Sequence, residues 1–195
     1  MTTRSKNIIF IVLVVAASFG IGRILLSQGK SIPAEFSQSR ANGGEVAAKI
    51  MSFLENSLIR LELVAKHDSD YRPQEALTII SEQLAAAKEN DNSALILATQ
   101  LETLARTAED IRPSQARQIA VEAVGNEVAL VSRMIVYNAQ LKDLFELLKD
   151  KVSGRRKVGA EEVNRLIAAL NYLAGGINEL NEKFNSGMRQ LDQEF

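Results

Sequence analysis

Four long stretches of this sequence carry apolar residues at helical spacing, and this pattern constrains the fold more than any other feature. The clearest is the C-terminal stretch, whose apolar residues form two interleaved rows with a seven-residue period, interrupted at Gly187. They are Val163, Leu166, Leu170, Leu173, Ile177, Leu180, Phe184 and Leu191. Residues spaced in this way share one face of an α-helix, which needs a partner to cover it. We predict an all-α fold in which four such helices form an antiparallel up-down four-helix bundle.

Prolines, glycines and polar runs mark the ends of the predicted helices. Pro73 suits the first turn of a helix, Pro113 forces a second boundary, and Gly154 and Gly159 bracket the last break. A polar run at 88–93 could split the second helix, but the apolar register continues across it, which favours one continuous helix. The predicted helices cover 45–67, 73–111, 114–152 and 160–193.

The same spacing predicts which residues of the first three helices form the core. In the first helix these are Ile50, Phe53, Leu54, Ser57, Leu61 and Val64. The second helix skips one position of its row, Asp91, and contributes Leu77, Ile80, Leu84, Ala87, Ala94, Ala98, Leu101, Ala105 and Ala108. The third includes one amide, a candidate for fixing register as buried Asn does in coiled coils. Its row is Val124, Val128, Val131, Ile135, Asn138, Leu141, Phe145, Leu148 and Val152.

Residues 8–26 form a different kind of segment, an apolar stretch interrupted by a single charge, Arg23. As a helix rising about 1.5 Å per residue it would span roughly 28 Å, close to the thickness of a hydrocarbon core. Arg4 and Lys6 precede it, and Arg23 is near enough to its far end for the guanidinium to reach the headgroups. We therefore predict one N-terminal transmembrane helix. Because a short basic region before a first apolar segment is typical of export signals, we expect the large domain outside the cytoplasm.

A cleaved signal peptide is the alternative interpretation of this segment, with a cut near Ala16 and Ser18. A cut there would leave Ile21 and the apolar residues after it exposed at a new N-terminus, which favours a retained anchor. Residues 27–44 are rich in Ser, Gly and Gln and contain Pro33. This composition predicts a flexible linker, with the helical domain covering 45–195.

Composition narrows the classes of function. The chain has no cysteine, which excludes disulfides, thiolate metal sites and cysteine nucleophiles. Residues 1–30 hold four basic residues and no acid, so the remainder carries 19 basic and 24 acidic side chains and lacks the concentrated basic face that nucleic acid binding needs. His67 is the only histidine, and Val64 stands where a Glu-x-x-His di-iron motif needs its glutamate. We expect no metal, no cofactor and no catalytic residues, and therefore not an enzyme.

Two groups of residues are candidates for an interaction site. The first is a row with a seven-residue period on the fourth helix, Asn164, Asn171, Asn178 and Asn185. These amides either pair across to another helix or subunit, or form a solvated shoulder. The second is the basic turn between the third and fourth helices, Arg155, Arg156 and Lys157. Its cations either contact an acidic partner or anionic lipid, or are solvated charges that complement a helix C-terminus.

These observations favour a membrane-anchored, extracytoplasmic helical bundle that acts as a non-enzymatic protein-interaction or structural module of the cell envelope, binding a protein partner or itself. The alternative is an extracytoplasmic ligand-sensing bundle, because an anchor followed by four helices is similar in architecture to chemoreceptor sensory domains. No residue motif carries this likeness. Such receptors continue from their last helix into a second membrane segment, whereas this sequence ends in a polar stretch, 189–195, which favours the interaction module.

Overall fold

The computed structural model describes residues 31–195, and four long helices account for almost all of this part of the chain. They are α1, Ala34–Ser69; α2, Pro73–Ala108; α3, Ser114–Val152; and α4, Ala160–Gln193. The predicted all-α fold of four packed helices is confirmed. The predicted transmembrane helix at 8–26 lies outside the described residues, and no helix between residues 31 and 195 is long and apolar enough to cross a membrane.

Consecutive helices pack side by side and run in opposite directions. Gly43 of α1 lies against Leu97 of α2, and further along α1 the hydroxyl of Ser57 is 2.9 Å from Oε1 of Gln83. Residue numbers therefore rise along one helix as they fall along its neighbour. The same relation holds between α3 and α4, where Ala123 faces Gly187 near one end and the Arg133 side chain lies against Gly176 further along.

One end of the bundle, here called the base, joins the first described residues to the ends of three helices. The backbones of Ser31 and Arg112 exchange two hydrogen bonds of 3.2 and 3.1 Å beside the turn between α2 and α3. The Arg40 guanidinium donates to both carboxylate oxygens of Asp192 at 2.6 and 2.9 Å, which ties the start of α1 to the end of α4. The chain therefore enters the bundle at its base.

The opposite end, here called the tip, holds the turns α1–α2 and α3–α4. Asp68 near the end of α1 accepts a 2.6 Å hydrogen bond from the Lys151 ammonium near the end of α3. Tyr71 turns the chain into α2 with a φ of 57°, and Gly154 turns it towards α4 with a φ of 70°. Since α3 has 39 residues, the tip lies roughly 58 Å from the base.

The core runs the length of the bundle and is built from aliphatic and aromatic side chains. On α4 the row with the seven-residue period Leu170, Ile177, Phe184 and Leu191 is buried as predicted, while Leu166, Leu173 and Leu180 are half-buried at its flank. Full burial of one such side chain stabilises the fold by about 1.5–3 kcal/mol. The largest fully buried side chains are Tyr137, Phe36, Phe145, Ile50, Leu54, Ile80, Leu97, Ile111, Leu141, Leu144, Leu170 and Ile177.

The predicted flexible linker at 27–44 is wrong from Ala34 onward, because α1 begins there instead of at residue 45. The buried row of α1 continues into this segment with an unbroken seven-residue period: Phe36, Gly43, Ile50, Ser57 and Val64. Glycine is a poor helix former, but Gly43 lies in the buried row and packs against Leu97 and Gln100 of α2. Tertiary packing therefore overrides the local preference that the composition indicated.

The predicted core rows of the middle helices are wrong at several positions. Val128 and Ile135 are each 47% exposed, and Ala98 and Ala105 are exposed on α2. On α2 the row that contains Ala98 and Ala105 turns outward along the helix, as the drift of about 20° per heptad around a straight helix predicts. On α3, Val128 and Ile135 stand on the solvent side of the row that is buried as predicted, which is Val124, Val131, Asn138 and Phe145. On α2 five predicted residues are buried, and a neighbouring row is buried beside them. The predicted ones are Ile80, Ala87, Ala94, Leu101 and Ala108, and the neighbouring row is Ala76, Gln83, Asn90, Leu97 and Leu104. The predicted continuity of α2 across 88–93 is correct, and this helix ends three residues before the predicted 111.

Candidate interaction surfaces

The outer face of α3 is apolar and uncharged over about four turns, from Gly125 to Ala139. Between Glu122 and Lys142, every exposed position of this helix is aliphatic, small or a hydroxyl. Together with Val121, which stands just before Glu122, these exposed positions span roughly 27 Å of helix and are here called the α3 outer face. Its members are Val121, Gly125, Val128, Ala129, Ser132, Ile135, Val136 and Ala139. An uncharged strip of this length on a helix that faces solvent is typical of a surface that meets a partner.

Large and small side chains alternate regularly along the α3 outer face. Val121, Val128 and Ile135 recur every seven residues, and the small residues Gly125, Ser132 and Ala139 lie between them at intervals of three and four. Intervals of three and four along one helix face define the a and d positions of a coiled-coil seam. This seam points away from the bundle, in contrast to the buried rows that hold the four helices together.

Exposed apolar residues of α2 extend this surface sideways. Asp91 of α2 accepts a 2.9 Å hydrogen bond from the Lys142 ammonium. This ion pair lies on the solvent-facing side of the contact between α2 and α3. Leu95 follows Asp91 by one helical turn, and Ile135 precedes Lys142 by two turns. Because the two helices are antiparallel, both residues lie on the same side of the bundle at a similar height. Leu95 is 69% exposed, so the apolar surface reaches beyond α3 alone.

The asparagine row changes its environment along α4. Asn164 and Asn171 near the tip are exposed, Asn178 is half-buried, and Asn185 near the base is buried. The drift of about 20° per heptad accounts for this gradual turn from solvent to core. The Asn185 amide nitrogen donates a 3.1 Å hydrogen bond to Oδ1 of Asn181, one turn earlier on the same helix. The four amides therefore do not form one continuous seam.

The basic turn lies at the tip, at the end of the bundle opposite Ser31. Arg155, Arg156 and Lys157 are exposed, and the Arg156 guanidinium donates a 2.7 Å hydrogen bond to Glu162 in the first turn of α4. A bundle standing upright on a membrane attached at its base would hold this turn roughly 58 Å away from that membrane. The geometry therefore disfavours contact of these cations with the same bilayer unless the bundle lies flat.

A buried amide joins α2 to α3, as the sequence predicts for Asn138. Its amide nitrogen donates to the backbone oxygen of Ala87 at 3.0 Å and to Oδ1 of Asp91 at 2.5 Å. Asp91, the skipped position of the apolar row, is therefore the acceptor that holds Asn138 and Lys142 in register. A polar position within an otherwise apolar row is the signal that identifies it.

Two titratable groups of α3 are buried in the core and had no place in the sequence predictions. Glu127 is 4% exposed, and burial raises the pKa of its carboxyl from the ordinary 4.5 to about 7. Burial also raises the pKa of Tyr137 to about 12, and its hydroxyl has no hydrogen-bond partner within residues 31–195. Glu127 stands between Ala120 and Met134 in a buried row with a seven-residue period, and this interruption could have identified it.

A shallow depression of about 930 Å³ lies at the base, between the end of α2 and the start of α3. It is lined mainly by polar and charged side chains, and Val121 connects it to the α3 outer face. Within residues 31–195, no group of three or more His, Cys, Asp and Glu side chains could hold a metal ion.

Comparison of this chain with protein-family models, with curated proteins and with solved structures finds no match.

Proposed function

We propose that this chain is a non-enzymatic protein-interaction module of the cell envelope, anchored in the membrane by residues 8–26 with its helical bundle outside the cytoplasm. The observation that carries the proposal is the α3 outer face. Water-exposed apolar area is unfavourable, and an exposed seam with coiled-coil spacing has no function in holding the monomer together. Burial against a partner removes that area from water.

The point at which the chain enters the bundle supports the same proposal. The chain enters the bundle at Ser31, beside the turn that leads into α3, so the α3 outer face begins close to the membrane end of the domain. Tethering to a membrane confines the bundle to a thin layer and raises the effective concentration of partners in that layer. A modest apolar surface is then sufficient for specific association.

Extraction of cell membranes at alkaline pH tests the anchor, combined with mass spectrometry of the N-terminal peptide and protease digestion from the outer side. We expect the chain to stay with the lipid, to retain residues 8–26, and to be digested by external protease. A chain that begins near Phe19 and is released by alkali would contradict the anchor. A chain that is protected from external protease would contradict the orientation.

Replacement of Val128 by Asp tests the interaction surface. Because Val128 is half-exposed, we expect its loss to change the free energy of unfolding by no more than about 0.5 kcal/mol. A carboxylate in the middle of an apolar contact is expected to weaken association strongly. Crosslinking in membranes measures this, with Ile59→Asp on α1 as the matched control at another exposed apolar position. Equal crosslinking of the two variants would argue against the α3 outer face.

A further inference from the structure

We propose that the partner of the α3 outer face is a second copy of this chain, packed antiparallel against it about a two-fold axis. This inference rests on the proposed function and names the partner of that surface. Homo-oligomers most often pair the same patch on both subunits, which requires a patch complementary to itself. The alternation of large and small side chains along α3 meets this requirement only when the two helices run in opposite directions.

In the antiparallel arrangement, each large side chain can face a small one. With the two-fold axis at the height of residue 130, Val121 of one copy faces Ala139 of the other, and Gly125 faces Ile135. Val128 faces Ser132 in the layer next to the axis. Every layer then has a similar total volume, so the two helices can approach evenly along their whole contact.

The parallel arrangement gives uneven layers and unfavourable charge. It places Gly125 against Gly125 and Ile135 against Ile135, so thin layers alternate with thick ones. It also places the Lys142 ammonium groups of the two copies opposite each other at the end of the seam, where they repel each other even though each is paired with its own Asp91. In the antiparallel pair Lys142 faces the neutral Gln118 instead.

The size of the surface indicates weak pairing in solution and stronger pairing in a membrane. A strip of about 27 Å by 10 Å covers only a few hundred Å², below the roughly 800 Å² per partner of a stable interface. Confinement of anchored chains to one membrane raises their effective concentration and compensates for the small area. The two Ser31 residues of the pair would lie roughly 50 Å apart along the axis, so both anchors reach one membrane when the bundles lie along its surface.

Disulfide trapping tests this arrangement cleanly, because the natural chain has no cysteine. Gly125→Cys and Ile135→Cys are made in the full chain and oxidised in membranes, each alone and mixed in equal amounts. Gly125 accepts a side chain, since a Cβ there meets no atom within 4 Å. The mixture brings the two thiols into one layer of the antiparallel pair, whereas each variant alone leaves its thiols about 15 Å apart along the axis.

We expect the mixture to form linked dimers about tenfold faster than either variant alone, and faster than Gly125→Cys mixed with Ser52→Cys, an exposed position on α1. Linking of each single variant as fast as the mixture would show a parallel pair and overturn the proposal. Linking at the rate of the Ser52→Cys control would show that a second copy does not cover this face. If Val128→Asp still abolishes crosslinks to another protein in that case, the interaction module stands and only self-pairing fails. Protection of the thiols from a water-soluble maleimide, without linking and without crosslinks to another protein, would identify lipid as the cover, which also overturns the proposal.

Discussion

At the scale of single residues, the buried carboxyl of Glu127 links stability to pH. Its pKa is about 7 in the fold and near 4.5 when exposed, so the folded state binds more protons than the unfolded state between these values. The protonated form is favoured in the core, and the fold keeps its full stability below about pH 4.5. Stability falls as the pH rises from there to about 7, because the carboxyl must then ionise in a place that solvates it poorly.

Replacement of Glu127 by Gln is expected to remove this pH dependence, since the amide has nearly the same shape and cannot ionise. The variant should be more stable than the natural chain by about 3 kcal/mol at pH 8, with the difference fading towards pH 4.5. Denaturant unfolding of the full chain in detergent across this pH range measures it. Glu122→Gln, at an exposed position on the same helix, is the control and should leave the profile unchanged. An identical profile for Glu127→Gln would contradict the burial of this group.

Gly43 tests the corrected start of α1. A Cβ at this position would lie 3.5 Å from Leu97 and 3.6 Å from Gln100, which is ordinary contact. We expect Gly43→Ala to stabilise the fold by about 0.5–1 kcal/mol, because alanine loses less backbone entropy on entering a helix. The matched control is Gly154→Ala, which should destabilise the fold because its φ of 70° suits glycine. If residues 34–44 were a flexible linker, Gly43→Ala would leave the melting temperature unchanged.

The sequence predicts which helix a residue belongs to better than it predicts whether that residue is buried or exposed. Asn138 and Asp91 each interrupt an apolar row of the sequence, but the hydrogen bond between them is known only once α2 and α3 are packed. Val128 and Ile135 were assigned to the core because apolar residues in a helical row usually point inward. Which apolar row faces inward depends on where the neighbouring helices lie, and a single helix does not contain that information.

At the scale of elements, the contact between α3 and α4 depends on a close approach at Gly187. A Cβ at Gly187 would lie 2.9 Å from the Cβ of Ala123, closer than side chains normally pack. Gly187 is the gap in the otherwise regular apolar row of α4, and the structure explains this gap as space for α3. The sequence shows the interruption at Gly187, but only the structure shows that α3 occupies the space there.

Replacement of Gly187 by Leu is expected to separate the ends of α3 and α4 and to destabilise the fold by about 1–3 kcal/mol. Gly175→Leu on the same helix is the matched control, because a Cβ at Gly175 meets no atom within 4 Å. That change should be neutral or should stabilise the fold by up to about 0.8 kcal/mol through helix propensity. Thermal unfolding followed by circular dichroism compares the two. Equal melting temperatures would contradict the close approach of α3 to α4 at this point.

The ends of the helices were largely predictable because their signals are local. Pro73, Pro113, Gly154 and Gly159 mark the turns, and the predicted bounds of α3 and α4 agree with the structure. The start of α1 was missed because Ser, Gly and Asn in 37–44 resemble a linker when only composition is considered. The seven-residue period from Phe36 to Val64 is present in the sequence, but that these positions are buried follows only from the packing of α2 against this face of α1.

At the scale of the whole molecule, the two ends of the bundle differ from each other, and one side differs from the rest of the surface. The base receives the chain at Ser31, the tip carries the basic turn, and the α3 outer face covers roughly 27 Å of one side between them. The predicted asparagine row lies on α4 and begins at the tip near the basic turn, so neither group is part of the α3 outer face. The α3 outer face contains no polar motif, and its mark in the sequence is an absence of charge at the positions that form one side of the helix.

The most direct test of the account is photocrosslinking in the membranes of intact cells, with a photoreactive amino acid in place of Val128 in the full chain. The matched position is Ile59 on α1, which is also exposed and apolar but stands outside the α3 outer face. We expect discrete protein adducts from position 128 in the membrane fraction and few or none from position 59. Adducts of equal yield from both positions, or none from position 128, would contradict the assignment of the α3 outer face as the contact surface of this protein.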